Sequence, residues 1–150
     1  MPVTALACND HFLFVAEGPF LRLFRSSGHK LIGNVQIFKS QSIHGIRLHC
    51  EGPSSFVVLI WGGALIRALN IRSHRHSVIH DDATSPVIEL SSTLRAPDWI
   101  LGVEFNIDAN DPAYQSESWT CAAITAHNAL LGVKIQRQYP PNQDLGASDR

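Results

Sequence analysis

Histidine is the residue type in this 150-residue chain whose spacing most invites chemistry, with eight copies against three cysteines. The densest stretch is His74-Arg75-His76-Ser77-Val78-Ile79-His80-Asp81-Asp82. Three imidazoles beside two carboxylates could ligate zinc if this segment folded back on itself. Arg75 opposes a cation there, and no neighbouring group would orient the rings, so the stretch reads as a polar loop insertion of the kind that surfaces tolerate. No metal site is assigned. His44-Gly45-Ile46-Arg47 is the better binding candidate, because His44 and Arg47 could present two donors at the start of an apolar strand. The structural reading of the same residues has His44 bonding a neighbouring loop carbonyl while Gly45 admits a close backbone approach. Nucleophilic catalysis finds no support, since the chain lacks a G-x-S-x-G elbow and any glycine-rich phosphate loop followed by a helix. The chain is therefore expected to be non-catalytic, with no cofactor of its own.

The elements that would position these residues come in three copies. Val3-Thr4-Ala5-Leu6, Ile43-His44-Gly45-Ile46 and Trp99-Ile100-Leu101-Gly102-Val103 each open a short apolar strand. Denser apolar runs follow at residues 12–16, 56–61 and 119–126, then turns at Glu17-Gly18, Gly62-Gly63 and His127-Asn128. A half-apolar strand succeeds each turn, at residues 20–24, 64–69 and 129–135. Val3 to Ile43 spans 40 positions and Gly18 to Gly62 spans 44, a period that marks propeller blades. The third copy is delayed by two polar insertions, residues 72–85 and 106–118, which belong in loops. The middle runs are apolar on consecutive positions, so both faces of those strands should be covered, as inner blade strands are. A fourth strand is expected at residues 30–38 and 86–91, and none in the third copy, where Gln138-Tyr139-Pro140-Pro141 reads as turn or coil. The fold expected is all-β: a partial WD-repeat β-propeller over residues 1–137, about three blades with the third incomplete, and a disordered tail at 138–150.

Composition narrows the functional classes. With 12 basic and 13 acidic residues the net charge is −1, which provides no basic footprint for autonomous nucleic-acid binding. Cys8, Cys50 and Cys121 form no even framework and no CxxC pair; placed in or at the ends of apolar strands, they read as small hydrophobes in a reducing compartment. Met1-Pro2-Val3-Thr4 lacks the basic start of a secretory leader, and the apolar runs are too short to span a bilayer. A cytoplasmic location without membrane insertion is expected. Gly28-His29 resembles the dipeptide that opens many WD repeats but follows a third strand, and no Trp-Asp pair closes one. Asp98-Trp99 reverses that pair at a strand start, where Trp99 is expected to pack between blades.

In order and rough spacing, Pro2-Val3-Thr4-Ala5-Leu6, Ala16-Glu17-Gly18-Pro19, Ile43-His44-Gly45-Ile46-Arg47, Trp61-Gly62-Gly63 and Asp98-Trp99-Ile100 resemble the amino-terminal part of the WD repeat-containing protein six family. The resemblance extends from residue 2 to about residue 135, and its Ala-Glu-Gly-Pro and Ile-His-Gly-Ile-Arg stretches are its most specific parts. It implies a non-catalytic adaptor that holds a separate, S-adenosylmethionine-dependent tRNA ribose methyltransferase and helps to present tRNA for 2′-O-methylation at the wobble nucleotide. The tRNA would be met indirectly, through the complex. Fungal relatives imply an alternative, a WD-repeat scaffold in endosomal recycling. His44, Arg47 and Trp99 occupy family-like motif positions and are the binding residues expected. The polar residues 138–150 depart from the family, where further strands would follow.

Overall fold

A computed structural model describes residues 1–52, 55–72, 86–106 and 118–136. The expected histidine-rich loop, most of the second insertion and the 138–150 tail lie outside the described residues. Three antiparallel sheets follow one another along the chain. Blade 1 contains β1 (Val3–Cys8), β2 (Phe12–Glu17), β3 (Phe20–Arg25) and β4 (Leu31–Gln36) in sequence order. In blade 2, β5 (Gly45–Gly52), β6 (Ser55–Gly62), β7 (Leu65–Arg72) and β8 (Val87–Leu90) repeat that order. Blade 3 is β10 (Ile100–Phe105), β11 (Ser118–Thr125) and β12 (Leu130–Gln136). All three expected meanders are present, as are both fourth strands. Among the described residues no helix is long and apolar enough to cross a membrane.

Strand β6 shows why a continuous apolar run is needed at the centre. Side chains alternate across a sheet. Phe56, Val58 and Ile60 therefore pack toward blade 1 with Phe12, Phe14, Leu21 and Leu23, whereas Val57, Leu59 and Trp61 pack toward blade 3 with Ile100, Val103, Trp119 and Cys121. Val57, Val58, Leu59 and Ile60 are all fully buried, each contributing about 1.5–3 kcal/mol of transfer free energy relative to exposure. The expectation that every middle strand is covered on both faces holds for β6 and needs correction for β11. There Trp119, Cys121, Ala123 and Thr125 are buried, whereas Thr120 and Ile124 are exposed, because blade 2 covers only one side. The small residues of that run had masked its two-residue period.

Hydrogen bonds repeat between blades as the strands do. The Ile43 N–H donates to Gly18 O at 2.8 Å, and the Ile100 N–H donates to Gly63 O at 2.9 Å. Ile37 N–H to Pro19 O (2.9 Å) and Ala96 N–H to Ala64 O (2.7 Å) form the second rung of each pair. The turn between the second and third strands of one blade thus receives the chain on its way into the next. These turns sit one residue later than expected: Glu17 pairs with Phe20 and Gly62 with Leu65, leaving Gly18-Pro19 and Gly63-Ala64 as the connecting pairs. Gly18 and Gly63 have φ values of +57° and +56°, a left-handed conformation that glycine adopts without steric cost.

Blade 2 also contains a strand that sequence periodicity missed, β9 (Leu94–Arg95), which resumes pairing with β7 after β8. Ser91 bridges the break: its N–H donates to Ala68 O and its hydroxyl accepts the Ala68 N–H, both at 2.9 Å. Arg67 braces the same place, donating to Ser91 O at 2.7 Å and Ile37 O at 2.8 Å. The cysteine expectation needs correction too. Only Cys121 is buried, and burial pushes its thiol up to about 11; Cys8, the last residue of β1, and Cys50, near the end of β5, are exposed.

Candidate functional site at the seam of blades 2 and 3

Antiparallel order sets the start of each first strand, the turn between second and third strands, and the connection into the next blade at one end of the molecule. At that end the structure brings His44 and Trp99 together, their ring centroids 5.7 Å apart and tilted by 32°. Both rings are exposed, Trp99 to 57%. Trp99 does meet the neighbouring blade, but it rests on the rim of the seam and is not buried within it as expected, because its backbone precedes β10 and lies above the packed layer. His44 departs from its structural reading as well. Its Nδ1 accepts the Gly63 N–H at 3.4 Å, and its own N–H donates to Trp61 O at 2.8 Å.

The role expected of Gly45 falls on a side chain instead of a backbone. A Cβ there would lie 2.0 Å from Trp61 Cζ2, so the indole occupies the space a side chain would need. The close backbone approach occurs at Gly62, whose Cβ would lie 2.0 Å from Ser42 O.

Arg47 lies deeper on the same seam. Residues 47, 49 and 51 share one face of β5 by strand alternation, and each meets blade 3. Arg47 Nε pairs with Glu104 Oε2 at 3.3 Å, His49 lies 5.2 Å from the Phe105 ring, and Trp119 Nε1 donates to Glu51 Oε1 at 2.7 Å. Both partners of the Arg47 pair are more than half exposed, so the pair contributes little to stability. Its effect is to offset the guanidinium charge.

Asp98 and His127 complete the mouth; the sequence marked Asp98 as part of the reversed Asp98-Trp99 pair and His127 as a turn residue, and expected neither to bind a partner. Asp98 Oδ1 accepts the Trp99 N–H at 2.7 Å, and Oδ2 accepts the His127 N–H at 3.1 Å while also meeting His127 Nδ1. Hydrogen bonding from the His127 side chain, then from the Trp99 backbone, holds the Asp98 carboxyl below the usual carboxylate range. Asp98 precedes the first strand of blade 3 as His44 precedes that of blade 2, and both fasten onto a turn. His44 stands one residue before β5 and Asp98 two before β10, so the signal available in the sequence was a polar residue just ahead of an apolar strand. Among the described residues, no group of three or more His, Cys, Asp or Glu side chains could hold a metal ion.

No family model and no curated protein matches the chain. Among solved structures, it is similar to the WD40 domain of SCAP from fission yeast, with a TM-score of 0.61 at 9% sequence identity. The fold is that of a partial WD40 β-propeller. The match covers 94% of this chain and 33% of that chain, so the chain spans about a third of the length of that WD40 structure. At this identity the likeness concerns the backbone arrangement. The seam described above consists of this chain's own WD40 blades and side chains.

Proposed function

We propose that the chain is a non-catalytic WD-repeat adaptor, acting in the cytoplasm as part of the partner subunit of a tRNA ribose 2′-O-methyltransferase. The observation that carries this reading is the coincidence of fold and motif order. Ala16-Glu17-Gly18-Pro19 forms the turn that receives Ile43, and Ile43-His44-Gly45-Ile46-Arg47 leads into β5 on a WD40 scaffold. Those are the stretches that resemble the adaptor family most specifically. His44, Arg47 and Trp99 are the proposed partner-facing residues, with Asp98 added by the geometry. The methyltransferase provides the chemistry and binds S-adenosylmethionine, while this chain contributes a surface. A net charge of −1 supports contact with tRNA through the complex over autonomous binding.

Deleting the gene product should abolish ribose methylation at the tRNA wobble nucleotide and leave the methyltransferase's work with other partners intact. Mass spectrometry of tRNA fragments reads this directly. Survival of the wobble methyl group, with capture of trafficking proteins by the tagged product, would favour the endosomal scaffold instead.

A further inference from the structure

Trp99 differs from the other tryptophans of the chain. Trp61 and Trp119 are buried to 7% and 9% exposure, whereas Trp99 keeps 57%. An exposed indole costs contact with water and is the side chain most often found at the energetic centre of interfaces. Trp99 is also fixed in place. Its N–H donates to Asp98, its carbonyl accepts the Ala126 N–H at 2.8 Å, the following Ile100 N–H is bonded to Gly63, and one side of its ring meets His44. A surface held in one geometry before binding loses little entropy when a ligand arrives.

The charges around it select the ligand. Asp98 is immediately adjacent, and its hydrogen bonds to His127 and Trp99 keep it ionised at neutral pH. An ionised carboxylate offers about four acceptor sites, and the three contacts it makes leave room for a further donor. Arg47, a cation of this seam, is offset by Glu104. A π face beside a carboxylate matches a guanidinium, which stacks on indole and donates in its own plane at once. A nucleobase could stack on the same ring, but it would bring phosphates toward Asp98 on a chain with no excess of positive charge.

We propose that Trp99, backed by His44 and flanked by Asp98, is a docking site for an arginine side chain presented by a protein partner. This deepens the adaptor reading and rests on it, since it names the chemistry by which the mouth would engage a partner protein.

The test is NMR titration of the tryptophan indole N–H signals with the peptide acetyl-Gly-Arg-Gly-amide, in the full chain carrying Ile124→Lys and Leu130→Lys to oppose self-association through the exposed face of blade 3. The lysine and citrulline versions of the peptide and an oligouridylate serve as comparisons. The Trp99 signal should move with the arginine peptide while those of Trp61 and Trp119 stay, and the citrulline peptide, planar but uncharged, should bind more weakly by about threefold or more. Trp99→Ala should weaken arginine binding by a similar factor and Asp98→Asn by about twofold to fivefold, with unmoved Trp61 and Trp119 signals showing that each variant remains folded. For Trp99→Ala, backbone amide shifts at His44 and Asp98 replace the lost indole signal. Equal binding of arginine and citrulline, no response at Trp99, or tighter binding of oligouridylate would overturn the proposal. Failure here with wobble methylation still dependent on the gene product would sink the arginine site alone. Arginine binding without any effect on wobble methylation would sink the adaptor reading alone.

Discussion

At the scale of single residues, the mouth depends on what is missing at Gly45 and what is shared at Asp98. The Trp61 ring fills the space over Gly45, so Gly45→Ala forces the indole or strand β5 to move. Overpacking of this kind costs about 1–3 kcal/mol, and urea unfolding should show that loss with the Trp61 fluorescence maximum displaced. Asp98 gives a pH dependence of defined sign. Hydrogen bonding from His127 holds its folded value below that of an ordinary aspartate, so the native state binds fewer protons at this site than the unfolded chain. The stability it contributes is present above the unfolded value and is lost as pH falls through the folded one. Asp98→Asn should therefore flatten the acid limb of the stability profile below about pH 4, measured by denaturant midpoints at successive pH values. An unchanged acid limb would mean that the His127 contact is absent in solution.

At the scale of elements, β6 is the strand on which both neighbours depend. Val58 is fully buried in the layer between blades 1 and 2, where a carboxylate would have no partner. Val58→Asp should remove the cooperative thermal transition altogether, because desolvating an unpaired charge costs more than a domain of this size has to spare. Thr120→Asp supplies the contrast. Thr120 lies on the exposed face of β11, so its change should stay within about 0.5 kcal/mol. Circular dichroism melts of the two variants would separate them, and comparable losses would show that β11 is covered in solution.

At the scale of the whole molecule, two outward sheet faces carry apolar side chains. On blade 3, Leu101, Ile124 and Leu130 are 61%, 44% and 77% exposed. On blade 1, Leu6 and Leu31 are 62% and 49% exposed. Contiguous exposed apolar surface and unpaired strand edges drive association. The 150-residue chain by itself should self-associate at micromolar concentration, and the double change Ile124→Lys with Leu130→Lys should shift sedimentation toward monomer. A wild-type chain that sediments as a monomer would contradict this.

Strand periodicity was legible in the sequence because it follows from local alternation and turn chemistry. Apolar runs at fixed spacing identified eleven of the twelve strands among the described residues, and Gly18 and Gly63 marked the turns to within one residue. β9 escaped because two residues carry no period, and it exists only where Ser91 and Arg67 hold the chain back against β7. His44, Arg47 and Trp99 could be singled out by type, yet their arrangement could not. Whether an indole is buried or rests on a rim, and whether a guanidinium is free or paired with a carboxylate 57 positions away, is decided when blades 2 and 3 pack. The sequence by itself determined the repeating strands and the candidate residues, through short-range sterics and hydrophobic alternation. Only the tertiary structure joined Asp98 and His127 to them, because contacts between blades depend on the stacking of sheets and leave no local period to read.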